Sequence, residues 1–134
     1  MSDFNAQIVE EFRANEGRVG GAFAGASMLL LHTVGARSGQ ERVNPLVYRT
    51  DGDALVIVAS KGGAPTNPDW FHNLVAHPDV TIEVGTETRS VRARVAEADE
   101  RERLWADLKA AMPGFADYEA RTTRQIPVVL LDPA

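Results

Sequence analysis

Two short stretches of the chain concentrate residue types that hold anions. In Gly35-Ala36-Arg37-Ser38-Gly39-Gln40-Glu41-Arg42 two guanidinium groups and a hydroxyl occupy a glycine-containing turn, and over residues 35–50 Arg37, Arg42 and Arg49 are set against the single acid Glu41. Glycine permits turn dihedrals that expose backbone N–H groups, and arginine forks match the oxygens of a phosphate or carboxylate. An ordinary hairpin turn with solvated arginines accounts for the same residues. The second stretch, Ser60-Lys61-Gly62-Gly63-Ala64-Pro65-Thr66-Asn67-Pro68-Asp69-Trp70, leaves an apolar run and enters the start of a helix. Its glycines let a planar ligand approach the backbone, Lys61 supplies a mobile cation, Trp70 can wall one side, and a helix N-terminus favours negative charge. A plain strand-to-helix connection explains it equally well. Adjacent hairpins can bring both stretches to one groove, and together they point to a flat, anionic ligand.

Other chemistries lack their residues. With no cysteine there is no thiol nucleophile, disulfide, thiolate zinc site or iron–sulfur cluster. His32, His72 and His77 have no i, i+4 spacing, and His72 and His77 on one helix point about 140° apart, so no metal is expected and each is read as structural. G-x-S-x-G, Walker A and G-x-G-x-x-G patterns are absent, which removes serine hydrolases, P-loop NTPases and Rossmann enzymes. The 134 residues carry 14 Lys+Arg against 19 Asp+Glu, a net charge of −5, which argues against nucleic acid or an anionic membrane as a general partner. Any basic site must be local. Such a chain buries roughly two-thirds of its unfolded surface, enough for one core and one deep site. Met1-Ser2-Asp3-Phe4 lacks the charged and apolar regions of a signal peptide, and no apolar run approaches the ~20 residues of a membrane span. The expectation is a cytoplasmic protein.

Hydrophobic spacing places the elements that must hold the two stretches. Phe4, Ile8 and Phe12 with Val9 predict an amphipathic helix over 4–15, capped by Ser2 or Asp3 and stopped at Gly17. Its polar face is not basic, which favours packing on the domain over lying on a membrane. Gly17, Gly20, Gly21 and Gly25 follow as a flexible connection, so residues 1–27 form an N-terminal unit ahead of a main domain over 28–134. Strand periodicity predicts 28–34, 42–50 and 54–60 as a meander of two hairpins, then 80–84, 88–95 and 126–131, with Pro127 marking an edge or bulge. The unbroken apolar run Ala54 to Ala59 implies a strand covered on both faces. In 88–95, Val91, Ala93 and Val95 point one way and Ser90, Arg92 and Arg94 to water. Asn67 at N-cap and Pro68 at N1 open a helix through Trp70, Phe71, Leu74 and Val75, and Asp99 with Glu102 suggests a capping box before the Leu104, Leu108, Met112 stripe. A short segment over 115–121 carries Phe115 and Tyr118. Six mainly antiparallel strands and about three helices, with no βαβ repeat, make this an α+β fold with a closed or partly closed barrel.

The blocks Gly35 to Leu46, Ala59-Ser60-Lys61-Gly62-Gly63 and Asn67-Pro68-Asp69-Trp70-Phe71-His72-Asn73-Leu74 resemble, in order and spacing, the deazaflavin-dependent nitroreductase family of actinobacterial split β-barrel oxidoreductases. The likeness runs from about residue 29 through Ile126-Pro127-Val128-Val129. The resemblance implies a split barrel that binds the reduced deazaflavin coenzyme F420 between sheet and helices, and hydride transfer to a quinone or nitroaromatic-type acceptor. Carried over by position, Arg37, Ser38, Gln40 and Arg42 would hold the phosphate and oligoglutamate tail. Ser60, Lys61, Gly62 and Gly63 would line the ring and ribityl arm, with Asn67, Trp70 and Asn73 fixing the following helix, although Asn73 is equally explained as structural. The acceptor face would comprise Val47, Met112, Phe115 and Tyr118, with Tyr118 or water giving the second proton. In the best-known nitroimidazole-activating member positions 47, 112 and 115 are tyrosines, so the resemblance by itself does not imply that activation here. Three alternatives remain open from sequence: a non-catalytic F420 carrier, an FMN-using split-barrel oxidase that would purify yellow, and a membrane-associated quinone reductase that uses the first helix. Monomer and homodimer are both compatible with the chain.

Overall fold

A computed structural model of the chain describes residues 3–15, 27–36, 38–59, 67–123 and 125–134, of which 3–6 in backbone only. The elements are α1 (Asp3–Ala14), β1 (Met28–Val34), β2 (Glu41–Val47), β3 (Arg49–Asp51), β4 (Ala54–Val58), α2 (Asp69–Ala76), β5 (Asp79–Val84), β6 (Glu87–Val95), α3 (Ala98–Ala111), α4 (Gly114–Ala120) and β7 (Val128–Pro133). The sheet has 7 strands in the order β2-β1-β5-β6-β7-β4-β3, and each neighbouring pair is antiparallel.

The segment expected as one strand over 42–50 is divided at Tyr48. Its first part pairs along β1 from Val34↔Glu41 to Met28↔Val47, and its second pairs with β4 from Arg49↔Val56 to Asp51↔Ala54. One bent strand therefore belongs to both edges of the sheet and curls it into a barrel, split where β2 and β4 part. The Tyr48 N–H donates to the Ser27 carbonyl at 3.0 Å at this bend. The expected count of six strands becomes seven, and the expected meander becomes two hairpins joined across the split, because only long-range pairing decides which neighbour each half takes.

Alternation along the strands builds three apolar layers. Leu29, Leu31, Leu55, Ile57, Ile82, Val91, Val129 and Leu131 point into the barrel, with Trp70 and Leu74 of α2. The intervening residues face outward: Met28 and Leu30 lie under Ile8, Val9 and Phe12 of α1, and Ala54, Val56, Val128 and Leu130 under Leu104, Trp105 and Leu108 of α3. β1, β4 and β7 are thus covered on both faces, which is why their sequences are continuously apolar. Val91 is buried and Ala93 partly so, whereas Val95, expected on the same inner face, is 40% exposed at the strand's end.

Helix starts differ from expectation. α2 begins at Asp69 with Pro68 as N-cap, one residue later than the Asn67 cap, and the Phe71 N–H donates to the Pro68 carbonyl at 3.1 Å. α3 begins at Ala98 with Glu97 as N-cap and no side-chain cap, so Asp99 and Glu102 make no capping box; Asp99 and Glu100 instead lie in the first turn, where the helix dipole favours acids. The 115–121 segment is a fourth helix. α1 ends with the Asn15 N–H and Nδ2 donating to the Glu11 carbonyl, while the cap candidate Ser2 and the stop at Gly17 lie outside the described residues. Among the described residues no helix is long and apolar enough to cross a membrane.

Candidate functional site

The turn between β1 and β2 is fixed by its own backbone. The Gly35 N–H donates to the Gln40 carbonyl at 2.7 Å and the Gly39 N–H to the Gly35 carbonyl at 3.0 Å, with Gly39 at φ 69, the left-handed region that glycine enters without strain. The Gln40 N–H donates to Ser38 Oγ at 3.2 Å, and the Ala36 N–H to Asn73 Oδ1 at 2.9 Å. A Cβ on Gly35 would overlap Ser38 Oγ. These four amides are engaged within the molecule, which corrects the expectation that the glycines present them to a ligand. What the turn offers outward is side chains: Ser38, Gln40 and Arg42 are exposed, and Arg37 lies outside the described residues.

Asn73 joins this turn to α2. It is 7% exposed, and its Nδ2 donates to Thr33 Oγ1 at 3.1 Å while its Oδ1 receives the Ala36 amide. Thr33 lies directly opposite Arg42 in the β1–β2 register, so both side chains leave the sheet on the face where α2 packs. The turn and the helix that follows the 60–66 connection therefore share one side of the barrel. Ser60, Lys61, Gly62 and Gly63 lie outside the described residues; their flanks are Ala59, whose N–H donates to the Pro127 carbonyl at 3.0 Å, and the half-buried Asn67. Trp70 is 6% exposed and packs inside the barrel. Its ring anchors α2 rather than walling a groove.

Charge separates across the strand. Glu41 and Arg42 are neighbours and so point to opposite faces. The Glu41 carboxylate meets His32 Nδ1 at 2.9 Å on the α1 side, His32 Nε2 meets Glu83 at 2.6 Å, and Glu83 receives Arg13 at 2.8 Å. The Arg13 guanidinium, with His32, holds the Glu83 carboxyl below the usual carboxylate range. Among the described residues Arg42 makes no ion pair or hydrogen bond, and Arg49 none either, whereas Arg13, Arg89, Arg92, Arg94 and Arg103 each meet a carboxylate. Sequence spacing gave no sign of the Arg13–Glu83–His32–Glu41 chain, since His32 and Glu83 are 51 positions apart.

The acceptor-face candidates fall into two outer clusters. Val47 packs against the α1 layer, and Met112, Phe115 and Tyr118 pack beside Val58 against the α3 layer. Val47 ends β2 and Val58 ends β4, each just beyond the Arg49↔Val56 pair that closes β3 on β4. The Tyr118 hydroxyl makes no hydrogen bond among the described residues, and the Arg121 guanidinium lies 6.0 Å from its ring. A separate cavity of about 160 Å³ between α2 and β6 is lined by Phe71, Leu74, Val75, Ala93, Val95 and Val129. Its one charged lining group, Arg94, is held by Glu100 and Asp132, so nothing there receives an anion.

The sequence matches the F420H(2)-dependent quinone reductases over residues 5–133. The chain belongs to this family. An F420H(2)-dependent quinone reductase of Mycobacterium tuberculosis is 44% identical over 124 residues, which cover 90% of this chain and 83% of the relative. The solved F420-H2 dependent reductase FDR-A superposes with a TM-score of 0.72 at 36% identity, covering 79% of this chain and 94% of that one. A chain solved as a domain-swapped dimer superposes at 0.73 with 32% identity, covering 95% and 93%. The F420H(2)-dependent quinone reductases are oxidoreductases that use coenzyme F420, and the barrel described above is the split barrel of these neighbours.

Proposed function

We propose that this protein uses reduced F420 to reduce a quinone or nitroaromatic-type acceptor. The observation that carries the reading is Arg42, a guanidinium that meets no carboxylate among the described residues of an acidic protein, set beside exposed Ser38 and Gln40 on a turn that Asn73 fastens to α2. That donor set fits the phosphate and glutamate carboxylates of the cofactor tail. When bound, the deazaflavin supplies a hydride from its C5 carbon.

The chain's own residues bind, orient and exclude. Arg37, Ser38, Gln40 and Arg42 hold the tail; Ser60, Lys61, Gly62 and Gly63 line the ring and ribityl arm; Asn67 and Trp70 set the start of α2, and Asn73 keeps turn and helix in register. Val47, Met112, Phe115 and Tyr118 present an apolar face to a planar acceptor and keep water from it. Reduction of a quinone takes one hydride and one proton, and the Tyr118 hydroxyl, which makes no hydrogen bond among the described residues, or water would hand that proton to an acceptor oxygen. No activated nucleophile is required, in keeping with the absence of cysteine.

Titration with oxidised F420, followed by turnover of reduced F420 with menadione, tests this reading. Arg37→Ala is expected to weaken binding at least tenfold, about 1.4 kcal/mol, and Lys61→Ala to weaken it as well. Unchanged affinity in Arg37→Ala removes the tail assignment, and tight binding without turnover favours a carrier.

A further inference from the structure

We infer that Glu119 positions the acceptor face, tying α4, which bears Phe115 and Tyr118, to Trp105 and Lys109 of α3. The inference rests on the reading of Phe115 and Tyr118 as acceptor-facing. α4 has seven residues, none of them buried, and no side-chain cap. A helix this short does not hold itself, because isolated helices below about 12 residues are marginal even in favourable sequences. Its place is therefore set by what it touches. Phe115, Tyr118 and Glu119 share one helical face at spacings of three and four. The Phe115 ring lies 5.9 Å from Trp105 and 6.0 Å from Tyr118. Glu119 Oε2 accepts from Trp105 Nε1 at 2.5 Å, and Oε1 meets Lys109 Nζ at 3.2 Å.

The Trp105 side of this contact is rigid: the residue is 2% exposed in the layer beneath α3, and the Lys109 ammonium lies 5.7 Å from its ring. A buried indole N–H requires an acceptor, and here the acceptor is a carboxylate on the short helix α4. That donor, with Lys109, keeps the Glu119 carboxyl below the usual carboxylate range, so the bond is charge-assisted at neutral pH. Without the carboxylate the indole N–H loses its acceptor, and α4 keeps only the edges of two half-buried rings. Phe115 and Tyr118 would then no longer stand in one arrangement. The turn between β1 and β2 lies at the other end of β2 and is tied to α2 through Asn73, so it is not touched by this change.

The test uses the full chain with menadione as acceptor. Glu119→Ala is expected to raise KM for menadione about tenfold and, because Tyr118 moves with the face, to lower kcat about threefold or more, while leaving the Kd for oxidised F420 unchanged and shifting Trp105 emission to the red. Glu119→Gln, which keeps an acceptor oxygen for the indole, should stay within about threefold of wild type in KM. If Glu119→Ala fails to fold, Lys109→Met is expected to raise KM about threefold, and an unchanged KM there overturns the inference. A KM unmoved in Glu119→Ala while Phe115→Ala raises it overturns the role of Glu119 and leaves the acceptor face standing. A KM unmoved in both overturns the acceptor face and the inference with it.

Discussion

The corner where β6, β7 and α3 meet and the turn between β1 and β2 handle positive charge in opposite ways. At the corner Arg94 is held by Glu100 at 2.7 Å and Asp132 at 2.6 Å, and beyond it Arg103 of α3 meets Asp51 of β3 and Arg92 of β6 meets Asp79 of β5, each at 3.1 Å. At the turn Arg42 has no such partner among the described residues although Glu41 precedes it, because the strand sends Glu41 to the opposite face, where it meets His32. With 19 acids in the chain a partner would be easy to supply. Among the described residues Arg42 shares this lack of a carboxylate with Arg49 and Arg121, and differs from them in standing beside Ser38 and Gln40 of the turn.

The largest effect expected on this contrast comes from the buried tie between turn and helix. Asn73→Leu leaves the Ala36 N–H and the Thr33 hydroxyl without partners, about 1–3 kcal/mol each. A Tm lower by about 10 °C in calorimetry should accompany a loss of F420 affinity of about thirtyfold or more. A stable variant that still binds would break the link between fold and site. Next is the corner: Arg94→Ala is expected to lower urea stability by about 1 kcal/mol, its ion pairs being half-exposed and screened, with the F420 Kd unmoved. A tenfold weaker Kd there would erase the distinction between the two regions. Acid acts on the opposite face. A carboxyl whose folded pKa is depressed, as in Glu83, contributes stability that is full above the ordinary carboxylate range and is lost as pH falls through the folded value. Hydrogen exchange should therefore show α1 amides protected at neutral pH and deprotected first in acid; uniform loss across the barrel would deny the Arg13–Glu83 contact a role. The smallest effect belongs to Arg92→Ala, an exposed pair with Asp79, at below about 0.5 kcal/mol and no change in Kd.

Much of the barrel was legible because its strands carry their burial in their composition. The run Ala54 to Ala59 shows no alternation, and in the fold Leu55 and Ile57 fill the barrel while Ala54 and Val56 lie under α3. The bend at Tyr48 was not legible, since both halves of that strand read alike and only the partners β1 and β4 tell them apart. Trp70 reads as a wall when taken with its polar neighbours and as core once α2 is seen to bury Trp70, Asn73 and Leu74 together. The turn's residue types raised the expectation of an anion site, but gave no sign that its amides are engaged internally. Neither the Trp105–Glu119 contact nor the His32–Glu83 contact has a local signature, because each joins elements that meet only in the folded chain.

The central measurement compares Arg42→Ala with wild type in two titrations, one with oxidised F420 and one with its ring and ribityl portion lacking phosphate and glutamates. A loss of at least tenfold, about 1.4 kcal/mol, for the whole cofactor and none for the truncated one is the predicted result. Equal losses for both ligands, or no loss for either, would contradict it.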